Sequence, residues 1–295
     1  MGAASRRALA LRNAVKITGR AASGCSEPGA ASKLPVGEGS DATETLAAPS
    51  RTRLDVCYGS PDTPMKRSKR HKALIFFAAR DGQKEVLAAR IEALTRQLLD
   101  SLPGTDKSAT GMVSRDNDLL RSSPGPVRAY DATIELETDA GEKALVETVA
   151  GLGERVADLV HCDLSALLLG QDLVFVECEP QPIRFQYLMR RRADFSHEAY
   201  LKRYEEIHSE FGVKQGGVRG YVQFHVDLDL SREAARSAGF GIWAIDNVSE
   251  LHIASLEEFA QAVGQTDVQA VVADEEIFVD RPNSVTFTSD ELIRL

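Results

Sequence analysis

Residues 220–228 read "GYVQFHVDL". In an extended strand, Tyr221, Gln223, His225 and Asp227 point to one side and Val222, Phe224, Val226 and Leu228 to the other. The apolar side calls for a helix or a second sheet to cover it. What the polar side faces depends on the neighbouring elements.

Those elements follow a fixed order. Upstream, "IRFQYLMRR" (183–191) reads as a strand, and "DFSHEAYLKRYEEIHSEF" (194–211) as a helix with Ser196 at its N-cap. Downstream, "VSELHIAS" (248–255) is a third strand. Ser255 and Glu258 in "SLEEFAQAV" stand at capping-box spacing and open a second helix, and "SVTFTS" (284–289) closes the set. The order is βαββαβ.

The preceding hundred or so residues repeat it. "ALIFFAAR" (73–80) is a strand, and "QKEVLAARIEALTRQLLDSL" (83–102) places Val86, Leu87, Ile91, Leu94, Leu98 and Leu99 at helical spacing. "GMVSRDNDLL" (111–120) carries a weak strand signal, and in "YDATIELETD" (130–139) Ile134 and Leu136 alternate with polar residues. "DAGEKALVETVAGLGERVADLV" (139–160) starts with Asp139 and Glu142 at capping-box spacing and continues as an amphipathic helix, and "DLVFVECEP" (172–180) is the last strand. Both units match the split βαβ, ferredoxin-like pattern. In such a unit two helices cover one face of a four-stranded antiparallel sheet and leave the other bare. The expected fold is therefore α+β: two tandem ferredoxin-like units, 71–180 and 181–295, packed sheet to sheet as an α/β barrel, an intramolecular pseudo-dimer with further homodimerisation open.

Residues 1–70 are expected to form a disordered arm, because from about residue 20 they are rich in Gly, Ser, Ala, Pro and Thr without hydrophobic periodicity. The arm ends in "KRSKRHK" (66–72), a basic run that reads as a solvated boundary. Residues 1–26 contain five Arg or Lys before the first acidic residue, Glu27, the composition of a mitochondrial transit peptide, set against an unstructured extension of a cytoplasmic protein. The formal net charge of -9 disfavours nucleic acid as a partner, and no apolar run is long enough to span a bilayer. Cys25, Cys57, Cys162 and Cys178 form no CxxC pair, which argues against metal knuckles and a disulfide framework and fits a reducing compartment. No metal and no cofactor is expected.

The packing of the two sheets assigns directions to "GYVQFHVDL". Val222, Phe224, Val226 and Leu228 are the expected helix contacts, so Tyr221, Gln223 and His225 are expected to line the space between the sheets. Leu251 and Ile253 likewise face the helices and leave Glu250 and His252 to that space. On the helix, Tyr200, Tyr204, Ile207, His208 and Phe211 form one stripe, so His208 is directed at the sheet.

The segments "YLMRRRADFSHEAYLKRYEEIHSEF" (187–211), "GVRGYVQFHV" (217–226), "IDNVSELHIASLEEF" (245–259) and "ADEEIFVDRPNSVTF" (273–287) resemble, in order, EthD-domain proteins of the dimeric α/β-barrel superfamily. The resemblance spans 183–290, while 72–180 share the element order alone. It implies sheet-paired ferredoxin-like units. It maps the family's helix histidine onto His208, its strand histidine onto His225 and its acidic residue onto Glu250. His252 stands where many members carry an aromatic residue, which makes the pocket more polar. The expected catalytic residues are therefore His225, His208 and Glu250, and the expected substrate contacts are Tyr221, Gln223, His252, Tyr204 and Trp243. The chemistry expected of them is acid–base work on a small hydrophobic or aromatic molecule: cyclisation, dehydration, decarboxylation, isomerisation or cofactor-free oxygenation. The alternatives are a non-catalytic binding or oxidase-accessory module and, from a different class, haem binding through His208 or His225.

Overall fold

The computed structural model describes residues 65–115 and 130–295. The expectations for residues 1–64, and for the end of "GMVSRDNDLL" from residue 116, lie outside these. In chain order the elements are β1 (Lys66–Arg67), β2 (His71–Phe77), α1 (Lys84–Ser101), β3 (Lys107–Ser114), β4 (Ala132–Thr138), α2 (Glu142–Val149), α3 (Leu152–Val156) and β5 (Ala166–Val176). The second half continues with β6 (Ile183–Met189), α4 (His197–Arg203), a π-helical turn (Tyr204–His208), α5 (Ser209–Lys214), β7 (Gly220–Asp227) and α6 (Leu228–Ala238). It ends with β8 (Asn247–Ile253), α7 (Leu256–Val263), α8 (Val268–Phe278), a 3₁₀ turn (Arg281–Asn283) and β9 (Val285–Arg294).

The strands run in the order β5-β2-β4-β3-β9-β6-β8-β7, and β7 pairs back onto β5, so the antiparallel sheet closes into a barrel with β1 added along β5. Each half keeps the same internal order, its fourth strand beside its first and its third beside its second, as the βαββαβ pattern predicts. The halves join at β3–β9 and at β7–β5. At the second seam Gly170 sits opposite Val226, and a Cβ there would strike the carbonyl oxygen of His225. Glycine is what lets the two strands approach.

Helix boundaries follow local chemistry. Ser196 caps α4 by accepting the Ala199 N–H at 3.1 Å, and Ser255 caps α7 by accepting from Glu258 at 3.4 Å, as expected. Asp139 does not cap α2. Its carboxylate is taken by Thr105 N, Thr105 Oγ1 and Asp106 N, and α2 starts after Gly141 with no side-chain cap. The long helix expected over 139–160 breaks at Gly151, whose φ of 67° is left-handed.

Helix α6 was not anticipated. It lays Ala234, Ala235 and Ala238 into the core formed by α1, α2 and the outer face of β2, β4 and β5, so a helix of the second half covers the first. Ser231 Oγ accepts from Leu169 N at 2.8 Å and fixes it there. Strand β1 was also missed, since Lys66 and Arg67 fall inside the stretch expected to be an arm. No helix among the described residues is long and apolar enough to cross a membrane. Cys162 and Cys178 are free thiols.

Candidate functional site

The closed barrel buries both faces of the sheet, and the register decides which residues share each. One end of the lumen is an apolar plug of Leu74, Phe76, Leu168, Leu188, Phe224, Val226, Val248 and Phe287. The other end holds charges. Lys72 Nζ lies 2.8 Å from Glu135, 3.1 Å from Asp172 and 2.5 Å from Glu250, and Arg184 lies 3.1 Å from both Glu135 and Glu250. Gln186 donates to Glu250 at 3.1 Å, and the ammonium of Lys72 stands over the Phe224 ring.

Lys72 belongs to the basic run read as a solvated boundary, yet it is 2% exposed. Burial alone would favour neutral lysine, but the carboxylates of Asp172, Glu135 and Glu250 raise its pKa well above the ordinary value. Burial works against ionised Glu135 as well, and Lys72 and Arg184 hold it far below the usual carboxylate range. Burial pushes Asp172 up to about 7, with the neighbouring carboxylates adding to it. Glu137, whose pKa burial and then Glu135 raise, shares the same lumen opposite Lys72. Where an open pocket was expected between the sheets, the described lumen residues form this plug and this network.

Glu250 and His252 face the lumen as expected. His252 lies opposite Arg184, its Nε2 has no hydrogen-bond partner among the described residues, and burial followed by the charge of Arg184 drives its pKa well below that of free histidine. For Tyr221, Gln223 and His225 the expected direction is reversed. Val222, Phe224 and Val226 point into the lumen, and the polar set faces outward beneath α4, the π-helical turn and α5. Tyr221 packs so closely under Gly212 that a side chain there would strike its ring. Alternation separates the two sides of a strand but cannot rank them when both are buried.

The outward set forms a hydrogen-bond chain. Gln223 Nε2 donates to the Tyr204 carbonyl at 3.2 Å and to Tyr221 Oη at 2.8 Å. These partners orient the amide, so Gln223 Oε1 faces His225 Nε2 at 3.1 Å. An amide oxygen only accepts, so Nε2 carries the proton and Nδ1 keeps its lone pair. Burial, then the positive charge of Arg67, then that of His197, lowers the His225 pKa to about 4. The imidazole is neutral, of one tautomer, and ready to accept a proton at Nδ1.

His225 lines an open cleft of about 430 Å³ over the β5–β7 seam. The first half contributes Arg67, Glu142, Gly170 and Gln171, and the second contributes His197, His225, Val226, Asp227, Leu228, Asp229 and Arg232. The lining is mainly polar, whereas the molecule expected to bind was hydrophobic or aromatic. His197 is held at both ring nitrogens, by Asp246 at 2.8 Å and the Val226 carbonyl at 3.0 Å.

His208 lies apart from this cleft. Its Nδ1 meets Asp274 Oδ2 at 2.8 Å, Arg203 pairs with the same carboxylate, and its ring packs against Tyr204, Phe211 and Phe278. Burial lowers its pKa, with Asp274 opposing. Tyr204 stacks between Tyr200 and His208, and Trp243 closes the apolar end of the barrel, donating to the Ser165 carbonyl at 3.2 Å. The structure therefore joins Tyr221, Gln223, Tyr204 and His225 and separates them from Glu250 and His252, which lie across the sheet, and from Trp243. Arg67, Gln171 and His197 were missed. Closure of the β5–β7 seam brings Arg67 and Gln171 to His225, while His197 reaches the cleft through its bonds to Asp246 and the Val226 carbonyl. Among the described residues no group of three or more His, Cys, Asp or Glu side chains is placed to hold a metal ion.

Residues 192–282 match the EthD domain. No curated protein is a significant sequence match to the chain. Among solved structures the fold is shared with an anthrone oxidase-like protein, at a TM-score of 0.53 and 12% identity over 79% of this chain and 96% of that one. Weaker likenesses include a protein described as a monooxygenase of Lactobacillus acidophilus NCFM (TM-score 0.46, 10% identity, 77% and 96% covered). Another is the chlorite dismutase of Candidatus Nitrospira defluvii (TM-score 0.41, 13% identity, 76% and 92% covered). At such identities the likeness establishes the α/β-barrel fold alone.

Proposed function

We propose that this EthD-domain chain is an enzyme that moves a proton on a small molecule bound in the cleft at the β5–β7 seam, with His225 as the base. One observation carries the reading: the amide of Gln223, oriented by Tyr204 and Tyr221, takes Nε2 of a cleft histidine and leaves its Nδ1 without a hydrogen bond among the described residues. A base with a pKa of about 4 sets a condition on the substrate. Taking a proton from a group of pKa about 10 is uphill by about 8 kcal/mol unless the resulting anion is stabilised in place. The new imidazolium and Arg67 supply positive charge on the cleft wall where that anion forms. Removal of a proton and its return to a different atom of the delocalised anion is isomerisation. The same first step would begin a cofactor-free oxidation, the reaction class that the name of the anthrone oxidase-like neighbour brings to mind for this fold.

The test is solvent deuterium exchange into a panel of enolisable ketones, keto acids and phenols, followed by proton NMR with the wild-type chain and His225→Ala. The expected result is exchange in at least one compound that His225→Ala slows by about 100-fold or more, the usual contribution of a positioned general base. Exchange at an unchanged rate in the variant would remove His225 from the reaction. Binding of panel members with no exchange in either protein would instead favour a binding module.

A further inference from the structure

We infer that Arg67 recognises an anionic group, so that the substrate of the cleft is a small carboxylate-bearing molecule and not an uncharged aromatic one. This rests on the reading of the cleft around His225 as the active site, and it names the substrate class. Most other charges on the wall are committed at short range. Asp227 caps α6 through Asp229 N and Leu230 N, Asp229 pairs with Arg232 at 2.6 Å, and His197 is held by Asp246, while Glu142 lies 3.2 Å from His71 Nδ1 without a hydrogen bond. Arg67 differs. Among the described residues its guanidinium makes no hydrogen bond, and its ion-pair partner, Glu205, stands at 3.8 Å with the Arg67 side chain half exposed.

A guanidinium presents five N–H donors in a planar fork that fits a carboxylate, so most of its capacity is open to a ligand. Its backbone is nevertheless fixed, by pairing with Leu173 and by the adjacent Ser68 N–H donating to the Asp172 carbonyl at 2.8 Å. The group is thus an anchored, underused fork on the same wall as the base. Its charge reaches His225, whose protonation it disfavours, and an anion bound between them would reverse that effect. Arg67 also lies outside the EthD segment, on the strand the first half adds along β5, so each half of the barrel contributes one part of the recognition.

The experiment uses the full chain with isotope-labelled histidine, titrated with benzoate and with its uncharged isostere benzamide while the His225 ring signals are followed by NMR. Saturable benzoate shifts with a rise in the His225 pKa, and benzamide binding weaker by about tenfold or more, are expected from one charge-assisted contact. Arg67→Gln should weaken benzoate by a similar factor, and Arg67→Lys, which keeps the charge without the fork, should fall between. Equal binding of the two compounds, or undiminished benzoate binding to Arg67→Gln, would overturn the inference. The His225→Ala variant separates the two claims. Benzoate binding retained in that variant supports the role of Arg67 whatever deuterium exchange shows, and loss of exchange with no benzoate preference leaves the base standing and removes the anion site.

Discussion

Asp172→Asn should stabilise the protein above neutral pH and leave it nearly unchanged at pH 4. Asp172 is 7% exposed, and among the described residues Lys72 Nζ, at 3.1 Å from Oδ2, is the cation paired with it. Glu250, Glu135 and Glu137 face it from the same lumen, and its Oδ1 has no partner among the described residues. The carboxyl titrates near 7 in the fold against 3.8 for an ordinary aspartate. The folded state therefore holds the proton more tightly than the unfolded chain does. Below about pH 4 both states are protonated and the group contributes nothing. As pH rises through 4 to 7 the unfolded chain ionises freely while the fold resists, so stability is lost across that window. At about 1.4 kcal/mol per pKa unit the full loss is about 4 kcal/mol. Asparagine keeps an oxygen for Lys72 and carries no charge, so the variant escapes the loss, less about 1 kcal/mol for the weaker bond to the ammonium. Urea unfolding of both proteins at pH 4, 6 and 8 measures the difference, which should grow with pH. A variant less stable than wild type by the same amount at all three values would show that Asp172 is ionised throughout and needed by Lys72.

Three other outcomes follow from the same geometry. Lys72→Met removes the cation shared by Glu135, Asp172 and Glu250, and denaturant unfolding at pH 7 should show a loss of about 3 to 5 kcal/mol; a loss under 1 kcal/mol would mean that the lumen charges are hydrated. Gln223→Leu strips partners from the Tyr204 carbonyl, Tyr221 Oη and His225 Nε2, so it should cost about 1 to 3 kcal/mol and leave the His225 ring a mixture of tautomers in nitrogen NMR, where wild type shows Nε2–H alone. His225 has the opposite pH signature to Asp172: its pKa is depressed from 6.5 to about 4, so its contribution is present above 6.5 and lost as pH falls to 4, by about 3 kcal/mol. In His225→Gln, that part of the acid sensitivity measured by thermal melts from pH 7 to pH 4 should be absent.

The element order and the pairing of two sheets were legible because each rests on local signals, the hydrophobic period and caps such as Ser196 and Ser255. Local signals failed where a side chain answered to a distant partner. Asp139 has the spacing of a cap, but Thr105 and Asp106 across a turn provide three donors to its carboxylate. Lys72 sits in a run of basic residues, and only the alternation Lys72, Leu74, Phe76 marks it as sharing a face with core positions. Glu135 and Glu137 carry no such mark, since they share their face with Thr133 and alternate with Ile134 and Leu136. Charges at alternate positions ordinarily indicate a solvent face, but a barrel wrapped in helices leaves none for its central strands. Such charges must then find one another inside, and the opposite signs of Lys72 and Arg184 against Glu135, Asp172 and Glu250 were the readable trace of it. "GYVQFHVDL" turned inside out for the same reason. With both sides of the strand covered, hydrophobicity offers no preference, and the outcome is set by what each layer must satisfy. The lumen takes Phe224 and Val226 into an apolar plug, with Val222 opposite Glu250, while the helix layer, crossed by Tyr200, Tyr204 and the backbone carbonyl of a π-helical turn, uses the donors and acceptors of Tyr221, Gln223 and His225. That demand fixes the amide of Gln223, and through it the proton on His225.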